Sequence, residues 1–315
     1  MRAYRQLEAG VRFLLRHQDR DGAWRDFRLR PGRSDAWTTA FIALRLLPCA
    51  QGSLRRPVQS ALLMAARFLE AAREPHGGWA YNRRCPTDAD STACAILFLN
   101  GFSATVQPKD YAALARFQLA DGGFATYRFG PPDHGWCIAH PEVTATALRA
   151  LSGFLPPDHF RIGRGLAWLS DHLANGEAPS SYWWPSRSYF AIEIEHLRRI
   201  FPALPRCKEL RSAHARDGFD LAQTLEDSAL HCPPGPAREL EARLLEMQDE
   251  DGGWPPSPVL RIPVPRNQTH DAPLAADDRR LMTTAAAVSA LRTARSQRRA
   301  MQRESWPAAA SWPPA

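Results

Sequence analysis

Lysine is almost absent from this chain of 315 residues, and the sequence also lacks features that are typical of several classes of protein. Lys109 and Lys208 are the only lysines, so arginine supplies the positive side of the formal net charge of +7. No apolar run approaches the roughly 18 residues of a membrane-spanning helix, and the opening MRAYRQLEAG lacks the apolar core of a signal peptide. We therefore expect a cytoplasmic protein.

Cysteine is also sparse, and its spacing excludes two common uses. The 6 cysteines show no C-x-x-C pair, which argues against a zinc ribbon and against a disulfide framework. We expect reduced thiols at Cys49, Cys85, Cys94, Cys137, Cys207 and Cys232.

The basic charge bears on the choice of partner. Arginine makes bidentate contacts to phosphate oxygens, so the composition suits an anionic substrate such as a diphosphate. The composition of the genome is an alternative source of the same bias. No nucleic-acid-binding motif accompanies the charge, and we expect no nucleic-acid partner.

A unit of roughly fifty residues recurs along the chain, and each copy joins two predicted helices through a glycine-aromatic turn. The helix before the turn is amphipathic, whereas the helix after it is more apolar and rich in alanine. The clearest turns end at Trp24, Trp79, Phe124 and Trp254, and a degenerate copy ends at Tyr182, Trp183 and Trp184.

The helices that follow the turns share a Thr-Ala step at Thr39, Thr92, Thr144 and Thr284. Their small side chains suit close packing around a common centre. Counting a further pair from Ser188–Phe201 and residues 217–230, we predict about six pairs closing near Leu291, which is an all-α, single (α/α)6 toroid. We predict the toroid over residues 1–294 and a flexible Arg/Pro/Trp-rich tail over 295–315.

The turns resemble the QW repeat of the squalene-hopene cyclase and terpenoid cyclase superfamily. The run Q-x3-G-x-W appears from Gln18 to Trp24 and from Gln248 to Trp254, and Gln118 with Phe124 forms a third copy. The resemblance covers nearly the whole chain and implies a toroid of the terpenoid cyclase type. It implies function less strongly, because protein prenyltransferase β-subunits and complement thioester domains share the toroid.

Two carboxylates occupy equivalent places in the repeat. Superposing the Thr-Ala steps aligns Trp37, Asp90, Glu142 and Met282. If this position faces the cavity, Asp90 and Glu142 lie at one height on neighbouring helices and share a proton, so that one stays neutral near pH 7. A neutral acid among apolar walls is what protonation of an alkene requires.

The stretch Asp88-Ala89-Asp90-Ser91-Thr92-Ala93 resembles the D-x-D-D-T-A motif of class II terpene cyclases. The resemblance implies that Asp90 is the general acid and that Asp88 orients it. Ser91 departs from the third aspartate of bacterial triterpene cyclases, although its hydroxyl could hydrogen-bond Asp90. Helix capping is the alternative role for Asp88 and Asp90, and contact with the helix dipole or plain exposure is the alternative for Glu142.

Aromatic side chains would stabilise a carbocation by cation–π attraction without capturing it. The candidate wall residues are Trp37, Tyr81, Phe124, Tyr127, Trp136, Trp184, Tyr189 and Phe190. We expect the turn tryptophans Trp24, Trp79 and Trp254 to pack within the repeat instead.

Arginines on the loops between outer and inner helices form a predicted rim at one end of the toroid. We single out Arg83, Arg84 and Arg187 as contacts for a diphosphate head group, with an ordinary solvated rim as the alternative. Mg²⁺ would enter only with a diphosphate substrate, and protonation itself needs no cofactor.

Metal and class I chemistry are disfavoured by what the sequence lacks. Gly135 and nearby prolines disfavour the regular helix that a zinc site from His134, Cys137 and His140 would need, and we predict no metal site. There is also no D-D-x-x-D cluster and no C-G-E-Q thioester motif.

Together these features favour a class II terpene cyclase-like enzyme in which Asp90 protonates a terminal alkene or epoxide of an isoprenoid. A single barrel suggests a smaller substrate than that of the two-barrel hopene-forming enzymes. Two alternatives stay open: an acid–base enzyme acting on a non-terpenoid substrate, and a non-catalytic binding module whose cavity is plugged by large side chains. The sequence leaves peripheral membrane contact and the oligomeric state undecided.

Overall fold

The computed structural model describes residues 2–129, 134–174, 181–207, 215–231, 235–263 and 272–304. These ranges contain eleven α-helices and two short hairpins. None of the helices in them is both long and apolar enough to cross a membrane. The helices are α1 (Arg2–Arg16), α2 (Ala36–Leu46), α3 (Arg55–Ala72), α4 (Ala89–Gly101), α5 (Pro108–Ala115), α6 (Pro141–Leu151), α7 (Phe160–Ala174), α8 (Arg187–Arg198), α9 (Gly218–His231), α10 (Gly235–Glu246) and α11 (Leu281–Glu304). The strands are β1 (Asp26–Leu29), β2 (Gly32–Ser34), β3 (Leu260–Arg261) and β4 (Leu274–Ala275).

Six of the described helices form a closed inner ring in the order α2, α4, α6, α8, α9 and α11, since each contacts the next and α11 contacts α2. Most residues of α2, α4 and α6 are buried. The helices α1, α3, α5, α7 and α10 pack around this ring. The predicted all-α toroid is therefore confirmed.

One pairing within the toroid was predicted wrongly. We expected residues 188–201 and 217–230 to form one outer and one inner helix, but α8 and α9 contact each other as consecutive members of the inner ring. No outer helix separates them in the described residues 181–207 and 215–231. The connection between α8 and α9, residues 199–217, contains no glycine and so lacks the glycine-aromatic turn that marks an outer-to-inner connection elsewhere.

The same contact recurs in four glycine-aromatic turns. The main-chain N–H of the turn aromatic donates to the threonine hydroxyl of the following inner helix. These pairs are Trp24–Thr39 at 2.9 Å, Trp79–Thr92 at 3.0 Å, Phe124–Thr144 at 2.8 Å and Trp254–Thr284 at 3.1 Å. Each of the four aromatic side chains is fully buried. They join outer and inner helices and leave the cavity to other residues.

The turn glutamines connect neighbouring outer helices. Gln18 donates its side-chain N–H to Ala61 O on α3 at 2.9 Å, and Gln248 donates to Gln6 O on α1 at 2.9 Å. The turn itself requires glycine, because Gly22 has φ +94° and a Cβ there would lie 2.3 Å from Met64 O. The Gln248 contact closes the outer layer between α10, the last outer helix, and α1, the first.

The last inner helix is longer than expected. We predicted a flexible tail from residue 295, but α11 continues without interruption to Glu304. Arg298 on this extension donates to both carboxylate oxygens of Glu241 on α10, at 2.5 and 2.8 Å. The remaining predicted tail, residues 305–315, lies outside the described residues, and the domain boundary at 294 stays a prediction.

Candidate active site

A cavity of about 580 Å³ lies at the end of the ring where the inner helices begin. Its volume is within the range of small-molecule sites, roughly 300–1,000 Å³. The first turns of α2 and α4, the loops that precede the inner helices and both hairpins contribute to its wall. The aromatic lining residues are Trp37, Tyr81, Tyr127, Trp136, Trp183 and Trp184.

Five of the eight predicted wall residues lie in this lining, and three do not. Phe124 is buried within its repeat turn, and Phe190 is 1% exposed in the core. Tyr189 lies behind Trp184 and stacks on it. Periodicity identifies which positions point inward, but it does not show which of them another aromatic ring covers.

Four aromatic rings form what we call the aromatic floor: Trp184, Tyr189, Phe41 and Phe219. Trp184 stacks on Tyr189 with ring centroids 3.9 Å apart, and on Phe41 and Phe219 at 5.7 Å each. Of these four, only Trp184 lines the cavity. The floor therefore separates the cavity from the deeper half of the ring.

Charged and polar side chains lie one helical turn below the floor. Arg45 follows Phe41 by four residues on α2, and its guanidinium carbon lies 3.3 Å from the centre of the Phe41 ring. Glu193 follows Tyr189 by four residues on α8 and accepts a hydrogen bond from Arg149 at 2.5 Å. Burial alone would raise the pKa of Glu193, but Arg149 and neighbouring cations lower it. Its charge is thereby retained inside the ring.

Asp90 lies in the first turn of α4, is half-buried and lines the cavity. Its Oδ2 accepts a hydrogen bond from the Thr126 hydroxyl at 3.3 Å. Burial, followed by the nearby carboxylates Asp88 and Glu142, raises the pKa of Asp90 well above its ordinary value. The raised pKa favours the protonated form of Asp90 at the cavity wall.

Asp88 is the N-cap of α4 and is 3% exposed. Its carboxylate accepts hydrogen bonds from the main-chain N–H and the hydroxyl of Ser91, both at 2.7 Å. Burial raises the pKa of Asp88 to about 7, although these hydrogen bonds act to lower it. Helix capping, which we considered as an alternative for Asp88, is thus observed, and Ser91 bonds to Asp88 where we had considered a bond to Asp90.

Glu142 lies in the first turn of α6 and is fully buried, outside the cavity lining. Its Oε1 accepts the main-chain N–H groups of Tyr182 at 2.6 Å and Trp183 at 3.0 Å, and burial raises its pKa to about 7. Neither oxygen hydrogen-bonds Asp90 within the described residues. The predicted direct sharing of a proton between Asp90 and Glu142 is not seen, because the main-chain N–H groups at 182–183 bind Oε1 of Glu142. Glu142 still contributes electrostatically to the raised pKa of Asp90.

The sequence did not lead us to Thr126, and it did not place Trp183 in the cavity wall, although both line the cavity. The Trp183 indole N–H donates to the Thr126 hydroxyl at 2.7 Å, beside Asp90. A signal for Thr126 does exist in the repeat. The position two residues after the turn aromatic holds Tyr81 in the second copy and Thr126 in the third, and both line the cavity.

The arginines at the cavity mouth are not those we singled out. Arg83, Arg84 and Arg187 are exposed and lie outside the lining. Arg28 and Arg30, on and beside the β1–β2 hairpin, contribute to it instead. Arg28 Nε lies 3.5 Å from Asp278 Oδ2, and its side chain is 75% exposed. Arg28 and Arg30 belong to the predicted rim of loop arginines, but the repeat did not single them out from its other members.

The suggested zinc ligands have other contacts. His140 Nε2 lies 2.7 Å from Gly135 O, the Cys137 thiol donates to Phe129 O, and His134 Nδ1 accepts from the Trp136 main-chain N–H. Across the described ranges, no group of three or more His, Cys, Asp or Glu side chains is placed to hold a metal ion.

Comparison with known proteins is informative at the level of structure. No protein-family model matches the chain, and no curated protein does so. Type II terpene cyclase MstE from Scytonema, in complex with its substrate geranylgeranyl dihydroxybenzoate, superposes with a TM-score of 0.74 at 23% identity, covering 94% of this chain and 98% of that one. The ligand-free form of MstE gives 0.71 at 22% identity, with 94% and 99% coverage. A protein from Actinoplanes gives 0.78 at 26% identity, with 93% and 99% coverage. This chain therefore has the class II terpene cyclase-like fold.

Proposed function

We propose that this chain is a class II terpene cyclase, in which Asp90 protonates a terminal alkene or epoxide of an isoprenoid substrate. One observation carries the proposal. Asp90 is a carboxyl group with a strongly raised pKa that lines a cavity with aromatic walls. A raised pKa favours the neutral, proton-carrying form of this group, which lies where an apolar chain would bind.

The proposed reaction is a net isomerisation when it ends in proton loss. The alkene π electrons form a new C–H bond as the Asp90 O–H bond breaks, and the adjacent carbon becomes cationic. The next double bond attacks this carbon and closes a ring, which moves the charge along the chain. Loss of a proton from carbon then forms an alkene, whereas addition of water followed by loss of a proton forms an alcohol. In either case the proton released to solvent balances the one that Asp90 regains before the next turnover.

The aromatic walls suit the cationic intermediates. Trp37 and Trp184 both line the cavity, with ring centroids 5.7 Å apart. Their faces attract a cation and offer no nucleophile to trap it. Asp90, ionised after the transfer, adds a negative charge at the same end of the cavity.

The mouth supports a substrate with a polar, anionic head group. Arg28 and Arg30 lie in the lining at the β1–β2 hairpin. The Scytonema enzyme is bound to geranylgeranyl dihydroxybenzoate in one structure and to merosterolic acid A in another. We propose that an isoprenoid tail lies in the cavity here while its head group contacts the arginines.

The open cavity argues against the non-catalytic alternative. A binding module was expected to have its centre plugged by large side chains, but about 580 Å³ is open beside Asp90. No observation specifically favours a non-terpenoid acid–base reaction.

Product analysis by mass spectrometry tests the proposal. The purified protein, Asp90→Asn and the matched control Asp171→Asn, an exposed aspartate on α7, would be incubated with farnesyl and geranylgeranyl diphosphates, geranylgeranyl dihydroxybenzoate and squalene. We expect a cyclised product from the wild type and the control only. Full turnover by Asp90→Asn would refute the assignment of the acid, and no product with any of the four would favour a non-isoprenoid substrate.

A further inference from the structure

We infer that Thr126 and Trp183 position the acidic proton of Asp90, by occupying one carboxyl oxygen and leaving the other to carry the proton into the cavity. The inference rests on the proposed function, in which Asp90 is the acid. Thr126 and Trp183 are positioning residues in this arrangement, because they act through Asp90.

The backbone holds Thr126 beside the acid. Its carbonyl oxygen accepts the main-chain N–H of Ala89 at 3.0 Å, and Ala89 directly precedes Asp90 in the first turn of α4. The Thr126 residue is 4% exposed. Its hydroxyl therefore has a fixed place relative to the Asp90 carboxyl group.

The donor inventory fixes the direction of the first of these hydrogen bonds and leaves the Thr126 hydroxyl proton available for the second. An indole N–H can only donate, so Thr126 Oγ1 must accept from Trp183 Nε1 at 2.7 Å. The single hydroxyl proton of Thr126 is then left for Asp90 Oδ2 at 3.3 Å. The chain of donors runs in one direction, from Trp183 through Thr126 to Asp90.

Trp183 is itself held on both sides of its peptide unit. Its main-chain N–H donates to Glu142 Oε1 at 3.0 Å, and its carbonyl accepts the main-chain N–H of Arg261 at 2.7 Å. Glu142 thus anchors the loop that carries the indole. This role accounts for a fully buried carboxylate next to the cavity that does not line it.

The arrangement assigns the proton to one oxygen. When Oδ2 of a neutral Asp90 accepts from Thr126, the acidic proton resides on Oδ1. Within the described residues, Oδ1 has no hydrogen-bond partner and is not fully enclosed by other atoms. Asp90 itself lines the cavity. The proton leaves from Oδ1, and the Thr126 hydroxyl stabilises the carboxylate that remains.

Infrared difference spectroscopy tests the orientation without any substrate. The wild-type spectrum minus that of Asp90→Asn isolates the C=O stretch of the protonated Asp90 carboxyl group. We expect Thr126→Val to move this band to higher wavenumber, because the carbonyl loses its donor, and Thr126→Ser to restore it. An unchanged band in Thr126→Val would overturn the inference. Absence of any such band in the wild type would instead contradict the neutral acid of the proposed function.

Steady-state kinetics gives an independent readout. On a substrate that the wild type cyclises, we expect Thr126→Val to lower kcat about 10- to 100-fold, as for loss of a hydrogen bond to a charged group, with KM changed less than about twofold. Thr126→Ser should recover most of the rate, and Trp183→Phe should lie between the two. Equal kcat in wild type and Thr126→Val would overturn the inference while leaving Asp90 as the acid. Thermal unfolding of each variant controls for misfolding.

Discussion

The indole of Trp184 stacks on the phenol of Tyr189 with centroids 3.9 Å apart and planes inclined by 15°. Trp184 borders the cavity, whereas Tyr189 does not. One turn deeper on α8 lies Glu193, and Gln223 on α9 is fully buried with both side-chain amide atoms unbonded in the described residues. The stacked pair therefore divides an aromatic cavity from a polar interior.

Removal of Trp184 should change both cavity depth and product. Trp184→Ala would thin the aromatic floor and deepen the cavity towards the polar interior, so we expect acceptance of longer isoprenoids and a larger share of alcohols formed by water capture. Loss of the buried ring should lower the free energy of unfolding by about 3–5 kcal/mol. Mass spectrometry of products and urea unfolding measure the two effects. An unchanged product profile in a folded variant would contradict the separating role, and Trp184→Phe serves as the conservative control.

Replacement of the acid should remove most of the rate. Asp90→Asn preserves shape but has no acidic proton, and loss of a general acid typically costs about 100- to 10,000-fold. Measured kcat for Asp90→Asn and for Asp171→Asn compares the acid with an exposed aspartate. A loss below about tenfold would mean that another group donates the proton.

The pH dependence of activity should follow the protonated form of Asp90. Burial and two neighbouring carboxylates raise its pKa, so Asp90 keeps its proton to higher pH than an ordinary aspartate does and loses it as pH rises through that raised pKa. We expect kcat to fall as pH rises, at a pH above the ordinary range of an aspartate. A rate that rises with pH across this range would indicate a carboxylate base.

Glu142 should make stability fall as pH rises. Its folded pKa of about 7 lies above the unfolded value of 4.5, so the folded state binds the proton more tightly. Its favourable contribution is complete below the unfolded pKa and is lost as pH rises through the folded one. Between pH 5.5 and 8 this linkage amounts to about 2 kcal/mol.

Comparison with a variant isolates this carboxyl from the others that titrate. Urea unfolding of Glu142→Gln should show less loss of stability between these two pH values than the wild type does. Parallel pH profiles for the two proteins would contradict the assignment. Glu239→Gln, at an exposed site on α10, controls for the change of charge.

Arginines at the mouth should affect binding more than chemistry. We expect Arg28→Ala and Arg30→Ala each to raise KM about tenfold for a substrate with an anionic head group, through loss of charge-assisted hydrogen bonds. The effect should vanish for the corresponding alcohol. Arg83→Ala and Arg84→Ala, outside the lining, provide controls, and equal KM changes in all four would indicate a general effect of charge.

The repeat allowed much of the ring to be predicted from sequence. The threonine of each Thr-Ala step contacts the aromatic of its own turn, so Thr39, Thr92, Thr144 and Thr284 have one physical role and align correctly. The alignment placed Asp90 and Glu142 in the first turns of neighbouring inner helices. Helix α8 was misassigned as an outer helix, because the turn that precedes it, at Tyr182 to Trp184, is a degenerate copy.

The rest of the site comes from segments without periodicity. Trp183 reaches Thr126 from 57 residues away along the chain, and the peptide groups at 182–183 engage Glu142. Such contacts depend on how loops cross the end of the ring. The β1–β2 hairpin, which brings Arg28 to the mouth, likewise lies between repeat elements and follows neither helical period.

Contact between the two ends of the chain has a consequence for biosynthesis. The Gln6 side-chain N–H donates to Leu245 O, and the Gln248 side-chain N–H donates to Gln6 O. Helix α11 packs on both α1 and α2. During translation, the apolar faces of α1 and α2 that pack on α11 have no partner until α11 has been synthesised. These faces are therefore the surfaces that a chaperone would meet on the nascent chain.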